Sequence, residues 1–105
     1  MSKLYVGERS AKVLATVTVN GELLSLKRSQ KVRNHSPRGY GWGYSGSGPA
    51  QLALAILLDV TDDPAVAQQH YQAFKRQYVA NWGDRWELTD REVREWLALG
   101  QTQVN

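Results

Sequence analysis

The chain has 105 residues, enough for one small domain that buries roughly 60 to 65% of the surface its unfolded state would expose. It contains no cysteine, which excludes disulfides, thiolate metal sites and cysteine nucleophiles, and suits a reducing cytoplasm. The net charge of +3 conceals a split: residues 1–58 carry eight Lys or Arg against two acids, whereas residues 59–105 carry five against eight.

The opening Met-Ser-Lys-Leu-Tyr-Val-Gly-Glu lacks the charged-then-apolar pattern of a signal peptide. The longest apolar run, Leu52 to Leu58, is far short of the ~20 residues a membrane span needs. The reading is therefore a cytoplasmic protein without a membrane segment.

Residues 3–26 favour strands. Leu4 and Val6 alternate with Tyr5, and Lys12 to Val19 is rich in β-branched side chains. Asn20-Gly21 supplies the positive φ angles of a two-residue hairpin turn, so Glu22 to Leu26 is expected to return as the partner strand. The expectation is an antiparallel hairpin or meander of two or three strands, covered by something downstream.

Residues 27–47 show no sustained periodicity and read as a connection of about twenty residues, long enough that such loops are mostly functional or disordered. Tyr40, Trp42 and Tyr44 repeat at period two and argue for order. Five cations (Lys27, Arg28, Lys31, Arg33, Arg38) occur there without an acid, a field that attracts phosphates or an acidic protein surface.

A first helix is expected near Gly48, with Pro49 at its first position, Gln51 reaching back toward the cap and Ser47 as a competing cap. It is apolar almost all round from Ala50 to Leu58, as a helix buried on several sides must be. Asp63 before Pro64 starts a second helix, expected to run to about Trp82 with Val66, His70, Ala73, Phe74, Gln77 and Tyr78 on its inward stripe. After a short Trp86-Glu87-Leu88 segment, Thr89 and Glu92 form a capping box for a third helix that buries Val93, Trp96 and Leu97. The tail from Gln101 to Asn105 is expected to fray.

The glycine-rich stretch leading into the first helix invites comparison with phosphate loops, because amides at a helix start attract anions. No Gly-Lys-Ser/Thr completes a Walker loop, and Gly41, Gly43 and Gly46 lack a βαβ unit around them. A tight structural turn is the simpler reading. Asn34, His35 and Ser36 have catalytic side-chain types, yet neighbours on an extended chain point to opposite sides, and a turn fixed by Pro37 explains them better. His70 reads as a satisfied core histidine, and two histidines so far apart carry no metal-ligand spacing. Trp82, Trp86 and Trp96 read as core, with Trp42 open between core and partner anchor.

The segments Arg33-Asn34-His35-Ser36-Pro37 and Gly39 to Ala55 together resemble the core of a family of small bacterial and archaeal proteins known only as a domain of unknown function. Tyr40 and Ser45 stand where many relatives are expected to have Phe and Gly. The resemblance implies a β-rich start, a helical end, no assigned activity, and an accessory role of the kind encoded by phages and plasmids and directed at the host.

The expected architecture is α+β over one domain, residues 1–105: strands in 3–26, a basic and aromatic loop in 27–47, and three helices in 48–100 with the first one central. The expected function is non-enzymatic docking of a protein or nucleic acid through Lys31, Arg33, Asn34, His35, Arg38, Tyr40, Trp42, Tyr44, Gly46 and Ser47, with no cofactor and no metal. Two alternatives stay open: a small-ligand or phosphate enzyme using the glycine-rich helix start with His35, and single-strand nucleic-acid binding.

Overall fold

The computed structural model describes residues 2–10 and 15–102. Strands β1 (Leu4–Glu8), β2 (Thr16–Val19) and β3 (Glu22–Leu23) are followed by helices α1 (Leu26–Val32), α2 (Ser47–Thr61) and α3 (Pro64–Gln77). A 3-10 turn (Val79–Asn81), strand β4 (Arg85–Thr89) and helix α4 (Asp90–Thr102) complete the order. The strands form one antiparallel sheet in the order β3-β2-β1-β4.

The fold is α+β, as expected, with three differences. The segment after β3 is helical rather than looped: the Ser25 side chain accepts from the Arg28 amide and starts α1. Seven residues are too few for a helical apolar stripe to show, and the residue α1 buries is the polar Ser29. Second, Trp86-Glu87-Leu88 lies in a fourth strand, paired with β1 in the register Tyr5↔Leu88 and Gly7↔Trp86. The carboxy-terminal portion thus holds the three expected helices, α2, α3 and α4, with a strand inserted before the last. Third, the expected return strand 22–26 stops at Leu23, although the Leu24 amide still donates to the Val17 carbonyl. Lys12, Val13 and Leu14, expected in β2, lie outside the described residues.

Asn20 and Gly21 have φ of 49° and 84°, the two positive values a type I′ turn requires. The Asn20 side chain also accepts from the Leu4 amide, tying the turn to β1. Tyr5, Val17, Trp86 and Leu88 face inward and join one core cluster with α2, α3 and α4. In α2 every residue from Gly48 to Leu58 is buried, confirming it as the central element. It starts one residue before the expected Gly48 and runs on to Thr61, beyond the expected Leu58. Its cap is Gly46 without a side-chain bond, and Pro49 stands third in the helix, where its missing N–H still costs no intrahelical bond.

In α3 the buried residues are Ala67, Tyr71 and Phe74, so the stripe is rotated from the expected one. His70 is only half-buried and lies edge-on to Trp96. The helix ends at Gln77 instead of Trp82, and the chain passes into the 3-10 turn. The capping box of α4 is present, with Glu92 N to Thr89 Oγ1 at 3.2 Å and Thr89 N to Glu92 Oε1 at 3.1 Å. The helix continues through Gln101 and Thr102, where fraying was expected; the rest of the tail lies outside the described residues. Among the described residues no helix is long and apolar enough to cross a membrane.

Asp63 Oδ1 accepts from the amides of Ala65 and Val66 at 3.0 and 3.3 Å and caps α3 as its position before Pro64 predicts. Asp63→Ala is expected to cost about 1 kcal/mol. Thermal unfolding should register it as a fall in Tm of about 4–8 °C.

Candidate docking surface around the basic loop

A segment with no secondary structure of its own must find partners for its backbone elsewhere. For residues 33–36 that partner is Gln51, fully buried in the second turn of α2. Its Oε1 accepts from the amides of His35 at 2.7 Å and Ser36 at 3.0 Å. Its Nε2 donates to Ser29 Oγ at 2.8 Å and to the Arg33 carbonyl at 3.1 Å. Gln51 therefore does not reach back to its own cap; it moors the neighbouring loop and α1. With the backbone fixed, Lys31, Arg33, Asn34 and Arg38 stand exposed and His35 is half-buried.

The His35 Nε2 lies 2.7 Å from the hydroxyl of Tyr71, a buried residue of α3. The Tyr71 hydroxyl has no other partner among the described residues, so this one hydrogen bond engages both groups, its direction set by the His35 tautomer. Burial first, then the charges of Arg33 and Lys75, hold the His35 pKa below its ordinary value. The imidazole is neutral at pH 7. Lys75 joins the site from α3, four residues beyond Tyr71 on the same helix face. Sequence reasoning placed Lys75 on the wet side of α3; the signal would have been its spacing from Tyr71, had that residue been read as inward.

The aromatic segment divides. Trp42 is fully enclosed, donating from Nε1 to the Gly83 carbonyl at 2.7 Å and standing edge-on to Trp86 at 5.8 Å. Arg9 lies over its ring at 4.9 Å and binds its carbonyl at 2.7 Å. Trp42 is therefore a core residue and presents no ring to a partner, because burying an indole with its N–H satisfied is worth more than leaving it wet. Tyr40 is half-buried, its hydroxyl donating to the Leu24 carbonyl at 3.2 Å, and burial raises its pKa. Tyr44 alone of the three is exposed, at 53%.

The glycines explain the placement of Tyr44. A Cβ built on Gly41, Gly46 or Gly48 would come within 2.4, 2.9 and 2.7 Å of the Tyr44 ring or hydroxyl. These positions are open so that a tyrosine can lie across the start of α2, and its hydroxyl takes the space a phosphate would need beside Gly48. Ser47 is exposed beside it, and Gly46 is half-buried.

Residues 23–58 contain five cations and no acid. Arg28 pairs with Asp62, whereas Lys31, Arg33 and Arg38 make no ion pair among the described residues. Recesses of about 500 Å³ beside Asp90 and Arg94, and of about 370 Å³ beside His70 and Trp96, lie along α4 and include no residue of this loop. A description built from related sequences matches residues 5–99, a span that takes in the sheet, the loop and its mooring on α2. The chain belongs to DUF6166, a family of unknown function. The match contains every residue of the candidate surface, so loop, glutamine and tyrosine bed all lie inside the DUF6166 unit. No curated protein and no solved structure matches the chain.

Proposed function

We propose that this DUF6166 chain is a small, non-enzymatic accessory protein that docks an acidic partner protein on Lys31, Arg33, Arg38 and Lys75, with Tyr44 as the exposed ring of the segment that follows. The observation that carries the reading is a set of cations without ion pairs among the described residues, Lys31 at the end of α1 and Arg33 and Arg38 on the loop after it, where a buried glutamine holds the backbone of residues 33–36. Cations on a backbone held in place before the encounter spare the cost of ordering that backbone and steer an acidic surface toward them. A protein suits this surface better than single-stranded nucleic acid, because Trp42 and Tyr40 are turned inward and leave one ring where base stacking uses several. The absence of cysteine suits a cytoplasmic setting, and a host-directed role for a mobile-element gene agrees with a module built to recognise rather than to react.

The test compares the wild-type chain with Arg33→Glu/Arg38→Glu as baits in nuclease-treated lysate. The expected result is a partner retained after nuclease treatment, bound about tenfold or more weakly by the variant and weakened by salt, with the circular dichroism of both baits alike. Identical capture by both baits would sink the proposal. Capture that vanishes with nuclease would transfer it to nucleic acid, with log affinity falling linearly in log salt.

A further inference from the structure

The docking reading leaves one group unused. With Nε2 engaged by Tyr71, His35 Nδ1 has no protein partner among the described residues. The cations that act on it are Arg33, two residues back with its carbonyl pinned by Gln51, and Lys75, one turn beyond Tyr71 on α3. The neutral Gln51 and Gln30 side chains complete the packing on the α2 and α1 sides, where they bind the backbone of residues 33–36. No acid comes from the loop, α1 or the part of α2 that faces it, since residues 23–58 have none.

We propose that Arg33, His35 Nδ1 and Lys75 form a receptor for a phosphomonoester carried by the partner protein. This rests on the docking reading and names the group its site takes. Two permanent cations balance the charge of about −2 on such a group at pH 7, and a carboxylate supplies only half of it. In the imidazolium form both ring nitrogens are donors, so Nδ1–H adds a directed contact, and the arginine fork suits tetrahedral oxygens. A dianion bound there favours imidazolium, so by linkage the occupied site has a higher His35 pKa than the empty one, which burial and then the same two cations keep low.

The experiment follows the His35 ring nitrogens by NMR through a pH titration of the full chain, alone and with inorganic phosphate, acetate, a phosphoserine peptide, its unmodified serine form, or a short single-stranded oligonucleotide. Phosphate and the phosphoserine peptide should each raise the His35 pKa by about one pH unit. Acetate, the serine peptide and the oligonucleotide, whose diesters carry single charges, should leave it in place. Arg33→Gln, at an exposed position, and Lys75→Gln, at a half-buried one, should each weaken phosphate about tenfold while Tyr71 keeps its contact. An unmoved pKa at saturating phosphate overturns the proposal, as does an equal shift with acetate or with the oligonucleotide, or a full shift in both variants. A response to inorganic phosphate but not to the phosphopeptide overturns the assignment to a partner side chain. If the phosphopeptide shifts His35 while the Arg33→Glu/Arg38→Glu bait captures its partner unchanged, the docking reading fails and the phosphate site stands. The reverse pair of results removes the phosphate site alone.

Discussion

Gly7→Ala is expected to destabilise the fold by about 3 kcal/mol, at the upper end of the ordinary cost of overpacking. Gly7 faces inward on β1, directly opposite Trp86 on β4, and the indole folds back across it. A Cβ there would lie 2.2 Å from Trp86 Nε1 and Cε2 and 2.5 Å from Cζ2. The ring has nowhere to go. It stacks on Trp82 at 3.9 Å and 20°, and its other neighbour is the edge-on Trp42. Its Nε1 is buried without a hydrogen-bond partner among the described residues, so packing alone sets its position. Urea denaturation followed by tryptophan emission measures the loss, and an unchanged midpoint would refute the account. Pairing Gly7→Ala with Trp86→Leu should recover part of the loss, since the two substitutions act on one contact.

Gln51→Leu is expected to release the basic loop without touching any of its cations. The substitution keeps the volume and apolar shape but removes acceptor and donor together. The amides of His35 and Ser36 are left without partners inside the protein, and so is the Arg33 carbonyl. Each such buried group costs about 1–3 kcal/mol if it stays in place. Because these groups are only partly buried, opening the loop to water is the cheaper course. Hydrogen exchange at the two amides should accelerate about 100-fold, equivalent to about 2.7 kcal/mol of local opening. Partner binding should weaken alongside. Gln51→Glu keeps the acceptor oxygen for the two amides while losing the donor to Ser29 and Arg33, and should fall between wild type and Gln51→Leu. Unchanged exchange in Gln51→Leu would show that the loop holds itself.

These two residues mark what the sequence could and could not reveal. Signals closed within a few positions were legible: Asn20-Gly21, Asp63 before Pro64, and the Thr89–Glu92 box all act as their residue types require. The apolar surround of α2 also read correctly, because burial on all sides leaves no polar stripe to misplace. What escaped depended on partners far along the chain. Trp86-Glu87-Leu88 alternates as a strand should, but its mate is β1 at the other end of the sequence. A glutamine in the first turns of a helix resembles a capping residue, and nothing local tells that its amide serves residues 33–36 instead. Tyr40, Trp42 and Tyr44 share one spacing, yet the carbonyls of Leu24 and Gly83 draw two of them inward and leave the third outside. At the site, the cations of residues 31–38 were apparent from charge alone, whereas Lys75 enters through the tertiary meeting of His35 and Tyr71.

The closure of the sheet sets a schedule for protein synthesis. β1 leaves the ribosome early, but the strand that completes it and the carboxylate that receives the Lys3 amide come later, the latter 87 positions on. Until Gly83 and Trp86 emerge, Trp42 lacks the carbonyl that holds it and the ring it packs against. Nascent chains halted before that point carry the basic segment and its glutamine mooring but leave the Trp42 ring without its carbonyl and its indole neighbour, so the two ends of the domain close around it together.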